Sequence, residues 1–114
     1  MDSSAIKVTN IGSRTLLTLN KSLTYQNCDE LSALFKKSIG HHESEIVLCC
    51  KSVAYFDSEA LNLLVQMHET LAMQGGMLKI ISLNEVCRDI LFVTRLINVF
   101  HVYKNINDAI RNLS

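Results

Sequence analysis

An aspartate and a serine stand together where an apolar run gives way to a helical pattern, in Phe56-Asp57-Ser58-Glu59-Ala60-Leu61. The run is Ile46-Val47-Leu48-Cys49-Cys50, and the helical pattern begins at Leu61. A hydroxyl at such a turn sits beside outward-pointing backbone N–H groups and the positive end of a helix dipole. Three chemistries suit it: capping the helix, attacking as a nucleophile, or carrying a phosphate. Serine or aspartate before an apolar helix is ordinarily an N-cap, and Asp57 is expected to cap or shape the turn in every case. A nucleophile needs an activating base. The turn lacks a Gly-x-Ser-x-Gly elbow, and the spacing of the four histidines designates none as a general base. Hydrolase chemistry falls away, which leaves Ser58 as a cap or a phosphate acceptor.

Other reactive residues carry less. His41-His42-Glu43 suggests a metal site, but adjacent loop histidines point apart and structural zinc takes spaced ligands; a solvated loop is expected, and no metal. His68 falls on an apolar helical face and reads as a hydrogen-bonded core histidine. Cys28, Cys49, Cys50 and Cys87 show no C-x-x-C spacing. Cys49 and Cys50 fall on opposite faces of a strand, so two packed thiols are expected rather than a vicinal disulfide. Gly75-Gly76 lacks the phosphate-loop pattern and follows a helix, so it reads as a helix stop.

The composition bounds the setting. With 114 residues, 48% of them apolar, the chain is long enough for one packed core, and a single domain spanning 1–114 is expected. Eleven basic and eleven acidic residues balance, without the positive field that draws nucleic acid. No nucleic-acid partner is expected. The N-terminus has no secretory pattern and no apolar stretch approaches a bilayer span. A cytoplasmic protein without membrane insertion is expected, and reduced thiols suit that compartment.

The pattern also predicts the elements that must hold the Asp57-Ser58 turn. Ala5–Thr9 and Arg14–Leu19 read as strands joined in an antiparallel hairpin through Asn10-Ile11-Gly12-Ser13. Leu31, Leu34, Phe35 and Ile39 recur at helical spacing, with Thr24 or Asn27 as cap and Gly40 as stop. Glu45–Cys50 reads as a strand buried on both faces. A long helix follows, with Leu61, Leu64, Val65, His68, Leu71 and Ala72 on one face and Leu63 and Met67 widening it. Met77–Leu83 is a strand. A helix from Glu85 to about Thr94 is capped by Asn84, Val99–Tyr103 is a strand, and Asn105 caps a last helix that turns Ala109, Ile110 and Leu113 inward. The order β-β-α-β-α-β-α-β-α describes an α/β domain, a mixed sheet covered by helices.

In that order the chain resembles the STAS domain, the fold of bacterial anti-sigma-factor antagonists, over nearly its whole length. Val53-Ala54-Tyr55-Phe56-Asp57-Ser58-Glu59-Ala60-Leu61 is similar to the family's apolar-x-Asp-Ser-x-Gly-Leu turn. Gly75-Gly76-Met77-Leu78 and Leu91-Phe92-Val93-Thr94-Arg95-Leu96 follow in the expected places. The resemblance implies that Ser58 is phosphorylated by an anti-sigma factor that is also a GHKL-type serine kinase. It implies that the unmodified protein binds this partner, that the phosphoprotein releases it, and that a PP2C-type phosphatase resets the switch. Lys21, Ser22, Thr24, Asp57, Ser58, Glu59, Leu61 and Asn62 then form the partner surface, Leu63 and its exposed neighbours extend it, and no cofactor or catalysis is implied.

Some positions depart from the family pattern. Glu59 replaces a second hydroxyl, leaving Ser58 as the one acceptor in the turn, and Ala60 replaces a glycine. Lys21 and Thr24 stand for glycine and aspartate in Gly-x-Leu-Asp, and Arg95 stands where glycine is common. STAS domains also resemble constitutive subunits of lipid-transport ATPases and of stress-signalling assemblies, where Ser58 is a packing residue. A small-ligand or nucleotide sensor is a third possibility.

Overall fold

The computed structural model describes residues 5–40 and 45–111. The His41-His42-Glu43-Ser44 loop and Leu113 lie outside the described residues. The elements are β1 (Ile6–Ile11), β2 (Arg14–Leu19), α1 (Cys28–Ser38), β3 (Glu45–Cys49), α2 (Ser58–Met73), β4 (Met77–Ile81), α3 (Glu85–Val93), a 3-10 turn (Leu96–Asn98), β5 (His101–Tyr103) and α4 (Ile106–Ile110). This is the expected order with the 3-10 turn added. The chain builds one five-stranded sheet in the order β1-β2-β3-β4-β5. β1 and β2 pair antiparallel, and the remaining neighbours pair parallel.

The hairpin is longer than the sequence suggests. β1 runs on through Asn10 and Ile11, and Ile11 pairs with Arg14 across a two-residue loop. Gly12 there holds φ +62, the positive value that a tight hairpin demands of its first loop residue. β5 is shorter than expected, because Val99 and Phe100 belong to the turn that closes the 3-10 segment.

Successive side chains of each strand point to opposite faces of the sheet. On one face Leu17, Leu19, Ile46, Leu48, Leu78 and Ile80 meet Leu31 and Phe35 of α1, Leu64, Met67 and Leu71 of α2, and Cys87 and Leu91 of α3. Fully burying a side chain of this size contributes about 1.5–3 kcal/mol. The inward stripe of α2 is Ala60, Leu64, Met67 and Leu71, while Ala72, expected on this stripe, is exposed. The stripe is therefore rotated toward Ala60. Met73 is 89% exposed.

The opposite face carries a smaller cluster, Val47, Ile81 and Tyr103 beneath Ala109 of α4. Lys79 is buried in it. Its Nζ donates to the Ala109 carbonyl at 2.6 Å, lies 3.2 Å from Glu45 Oε2, and sits 5.5 Å from the Tyr103 ring centre. Arg14 shares the same Glu45 oxygen. A cation thus fastens the last helix to the sheet.

Helix ends follow the sequence closely. Asn84 Oδ1 accepts from Cys87 N at 2.8 Å and Asn105 Oδ1 from Asp108 N at 2.9 Å. Gly75, at φ +77, closes α2 as Gly75 N and Gly76 N donate to Ala72 and Leu71 carbonyls.

The four cysteines are free thiols, with Cys50 in the main core and Cys49 against the smaller cluster. Burial pushes the Cys87 thiol up to about 11, and burial, with Cys87 and Cys49 beside it, holds Cys50 well above the usual thiol range. An unfolded chain loses these protons near pH ~8.5. The folded state keeps them longer, so the stability they contribute is intact below ~8.5 and falls as pH rises toward the folded values. Thermal melts are expected to show Tm dropping steadily between pH ~8.5 and ~11, and Cys87→Ala should flatten that slope even though it lowers Tm at neutral pH. An unchanged slope in the variant contradicts the assignment.

Candidate functional site

Residues 53–57 cross from β3 to α2 over the C-terminal edge of the sheet. Phe56 is buried and forms an isolated parallel bridge with Leu23, and Asp57 N donates to the Leu23 carbonyl at 3.3 Å. The loop after β2 and the loop before α2 therefore run side by side. Apolar anchors, Leu23 and Phe56, hold them down while the polar residues between them face outward.

Asp57 is the N-cap of α2, with extended backbone, and its Oδ1 accepts from Ala60 N at 2.8 Å. Its other oxygen, Oδ2, accepts from Tyr25 N at 2.8 Å. One carboxylate thus caps the helix and ties the neighbouring loop to it. Ser22 makes the reciprocal tie, its Oγ accepting from Ala54 N at 3.1 Å and Tyr55 N at 3.3 Å. Asn27, buried behind the loop, accepts from Thr24 N and donates to the Ser22 carbonyl. Asn27 occupies the N-cap position of α1 but gives that helix no side-chain bond; its amide is spent bracing residues 22–24. Thr24, the other expected cap, accepts from Gln26 N instead.

Ser58 opens α2 and is exposed. Asp57 takes the cap, so the Ser58 hydroxyl is left at the helix mouth. Among the described residues the Ser58 and Glu59 amides donate to no protein acceptor, as expected in a first helical turn. Glu59 and Asn62 are exposed on the same end. They border a shallow groove of about 260 Å³ against Cys28, Asp29 and Ser32 of α1. A second depression of about 390 Å³ lies against Lys21, Ser22, Thr24, Gln26 and Tyr55. Burial, then the carboxylates of Asp57, Glu59 and Asp29, raise the Cys28 thiol above its usual range. The mouth of the site is acidic, and Cys28 stays protonated within it. His68 sits nearly three turns further along α2, ~15 Å along its axis, too far to take a proton from Ser58.

The structure places the residues of the expected surface around the two adjoining loops and the start of α2. Lys21, Ser22 and Thr24 line one depression and Glu59 and Asn62 border the other, with the loops of Ser22 and Asp57 tied to each other. Leu61 is half-buried and packed against the main core, on the flank of the inward stripe. Leu63 is also half-buried against that core but still lines the groove. Two exposed tyrosines stand beside these residues. Tyr25 is 68% and Tyr55 48% exposed, each with its backbone N–H held by the clamp. An exposed aromatic on a braced backbone is the kind of residue that carries binding energy. Tyr25 follows Thr24 in one loop and Tyr55 stands two residues before Asp57 in the other.

The clamp gives a direct prediction. Asp57→Ala removes the acceptor of two backbone amides, and stability is expected to fall by about 2 kcal/mol. Hydrogen exchange at Tyr25 N and Ala60 N should accelerate together. Exchange that quickens at Ala60 alone contradicts the double role.

The STAS domain family model matches residues 3–109. Among solved structures, a candidate anti-sigma factor antagonist of Thermotoga maritima is similar at 22% identity and a TM-score of 0.86, covering 95% of this chain and 93% of that one. An anti-sigma-factor antagonist (STAS) domain protein of Planctomyces limnophilus is similar at 19% identity and a TM-score of 0.85, covering 95% and 97%. The unphosphorylated form of the anti-sigma factor antagonist SpoIIAA is similar at 10% identity and a TM-score of 0.67, covering 95% and 96%. At these identities the likeness is one of fold. No curated protein matches the chain.

Proposed function

The chain belongs to the STAS domain family, and from that premise we propose that it is a phosphorylation-controlled antagonist of an anti-sigma factor, acting as one domain and without catalysis of its own. The observation that carries this reading is the exposed Ser58 hydroxyl at the mouth of α2, on a surface braced by Asp57 and Ser22. Unmodified, that surface binds an anti-sigma factor that is also a GHKL-type serine kinase. The kinase transfers a phosphate to Ser58, and a PP2C-type phosphatase removes it. The antagonist names of the similar structures support the partner class.

The electrostatics favour release on modification. Phosphorylation adds roughly −1.5 to −2 charge and three acceptor oxygens. Within the protein the free first-turn amides and the helix dipole accommodate it. Against a partner packed over Asp57, Glu59 and Asp29, the added charge is left unpaired or repelled. No described helix is long and apolar enough to cross a membrane, in keeping with action in the cytoplasm.

The test is displacement. Added to a complex of a sigma factor with its anti-sigma factor, the unmodified chain should free the sigma factor, while the Ser58-phosphorylated chain should not. Equal action by both forms marks a constitutive subunit and ends the switch reading.

A further inference from the structure

Asn84 uses both atoms of its side-chain amide. Its Oδ1 accepts from Cys87 N at 2.8 Å and caps α3, while its Nδ2 donates to the Val53 carbonyl at 2.9 Å. A cap needs only the first bond. The second reaches a residue only 1% exposed, where a carbonyl without a donor is costly. The other donor to this carbonyl among the described residues is the Cys87 thiol at 3.5 Å, and sulfur is a weak donor. The Asn84 amide therefore carries the tie. The chain reaches that position under strain. Ser82, between β4 and α3, holds φ +63, in the left-handed region that side-chain-bearing residues rarely adopt. Such a conformation persists where neighbouring contacts hold it. Ser82 Oγ donates to the Lys104 carbonyl at 3.4 Å, and Leu83 packs against the main core.

Val53 opens the segment that ends in Asp57 and Ser58. Ser22 and Tyr25 hold that segment from the β2 side of the sheet, and Asn84 holds its start from the β4 side. We propose that Asn84 is a positioning residue of the phosphate-acceptor turn. By fixing the Val53 carbonyl it holds residues 53–57, and with them Ser58, in the geometry that the partner kinase takes. This rests on Ser58 being the acceptor. With the tie gone, the segment is fastened from one side only, and the competent arrangement is populated for a smaller fraction of the time. A partner that needs this arrangement binds with an affinity reduced by that fraction. The loss falls on KM for the chain, because the chain is ordered once bound and presents the same hydroxyl.

Asn84→Asp separates the two bonds. Its carboxylate keeps the cap on Cys87 N, since aspartate caps as well as asparagine, but it has no hydrogen to give Val53. Asn84→Ser keeps a cap of similar quality, with an arm too short to reach the carbonyl and no added charge. Asn84 is exposed, so both side chains fit.

Amide exchange is measured on the full chain and on both variants, alongside steady-state phosphorylation with ATP and the cognate anti-sigma kinase. Exchange at Ala54 N and Tyr55 N should quicken about three- to tenfold in both variants, the effect of losing one hydrogen bond. Cys87 N should exchange as before. KM for the chain should rise by a similar factor, with kcat held within about twofold. A merely structural role would lower Tm and leave KM where it was. Unchanged exchange at Ala54 and Tyr55 overturns the proposal, as does exchange that quickens equally at Cys87. So does an unchanged KM, or a KM that moves in the charged variant alone. An unmodified chain that gains no phosphate on Ser58 ends the switch reading instead, and exchange still decides whether Asn84 holds the turn.

Discussion

Lys79→Ala is expected to destabilise the fold by about 3–4 kcal/mol, a large share of what a domain of this size has. Three losses add. The buried Ala109 carbonyl loses its 2.6 Å donor, and an orphaned buried acceptor costs about 1–3 kcal/mol. Glu45 loses one of its two cationic neighbours among the described residues. The butyl stem leaves a gap beside Val47, Ile81 and Tyr103 in a cluster with few members to close it. Lys79→Met keeps the stem and should recover roughly a third to a half of the loss, which separates packing from charge. Because α4 is held through Ala109, its amides should exchange faster in Lys79→Ala than those of α2. Denaturant titration with exchange measurements checks both statements. A loss below ~1 kcal/mol, with α4 protected as before, contradicts the role assigned to this lysine.

The second large effect concerns binding. Ser58→Asp is expected to weaken the partner complex about a hundredfold, which is ~3 kcal/mol. The new carboxylate joins Asp57, Glu59 and Asp29 at a mouth that already carries these three acids. The protein itself should barely notice, since an acid at the first helical position favours the dipole by up to ~1 kcal/mol. Tm should therefore hold or rise while affinity collapses. That divergence distinguishes a switch from a damaged fold. Unchanged affinity in calorimetry removes Ser58 from the interface.

Much of this was legible in the sequence because local signals and tertiary structure agree. The Asn84 and Asn105 caps, the Gly12 turn and the Gly75 stop are set by residues within a few positions of one another. So is Asp57 as cap of α2. What escaped is long-range. In Met77-Leu78-Lys79-Ile80-Ile81 a lysine ordinarily marks a solvent-facing position. Only the register, which brings α4 and Glu45 over that face, makes it a buried one. Asn27 looks like the cap of α1 by position, yet Thr24 N and Ser22 O compete for its amide and win. The Asp57–Tyr25 bond joins segments 32 residues apart, and no local pattern announces it. Ala72 falls on the apolar periodicity of α2 yet is exposed, because the buried stripe runs through Ala60, Leu64, Met67 and Leu71. The site was visible as two segments; what holds them together was not.

The most direct test of the central claim is phosphate transfer to a named atom. The unmodified chain and its Ser58→Ala variant are incubated with ATP and the partner kinase, and the intact mass of each is measured. A single phosphate on the unmodified chain, located on Ser58, with none on the variant, is the result this account predicts. A variant that gains the phosphate as readily as the unmodified chain contradicts it.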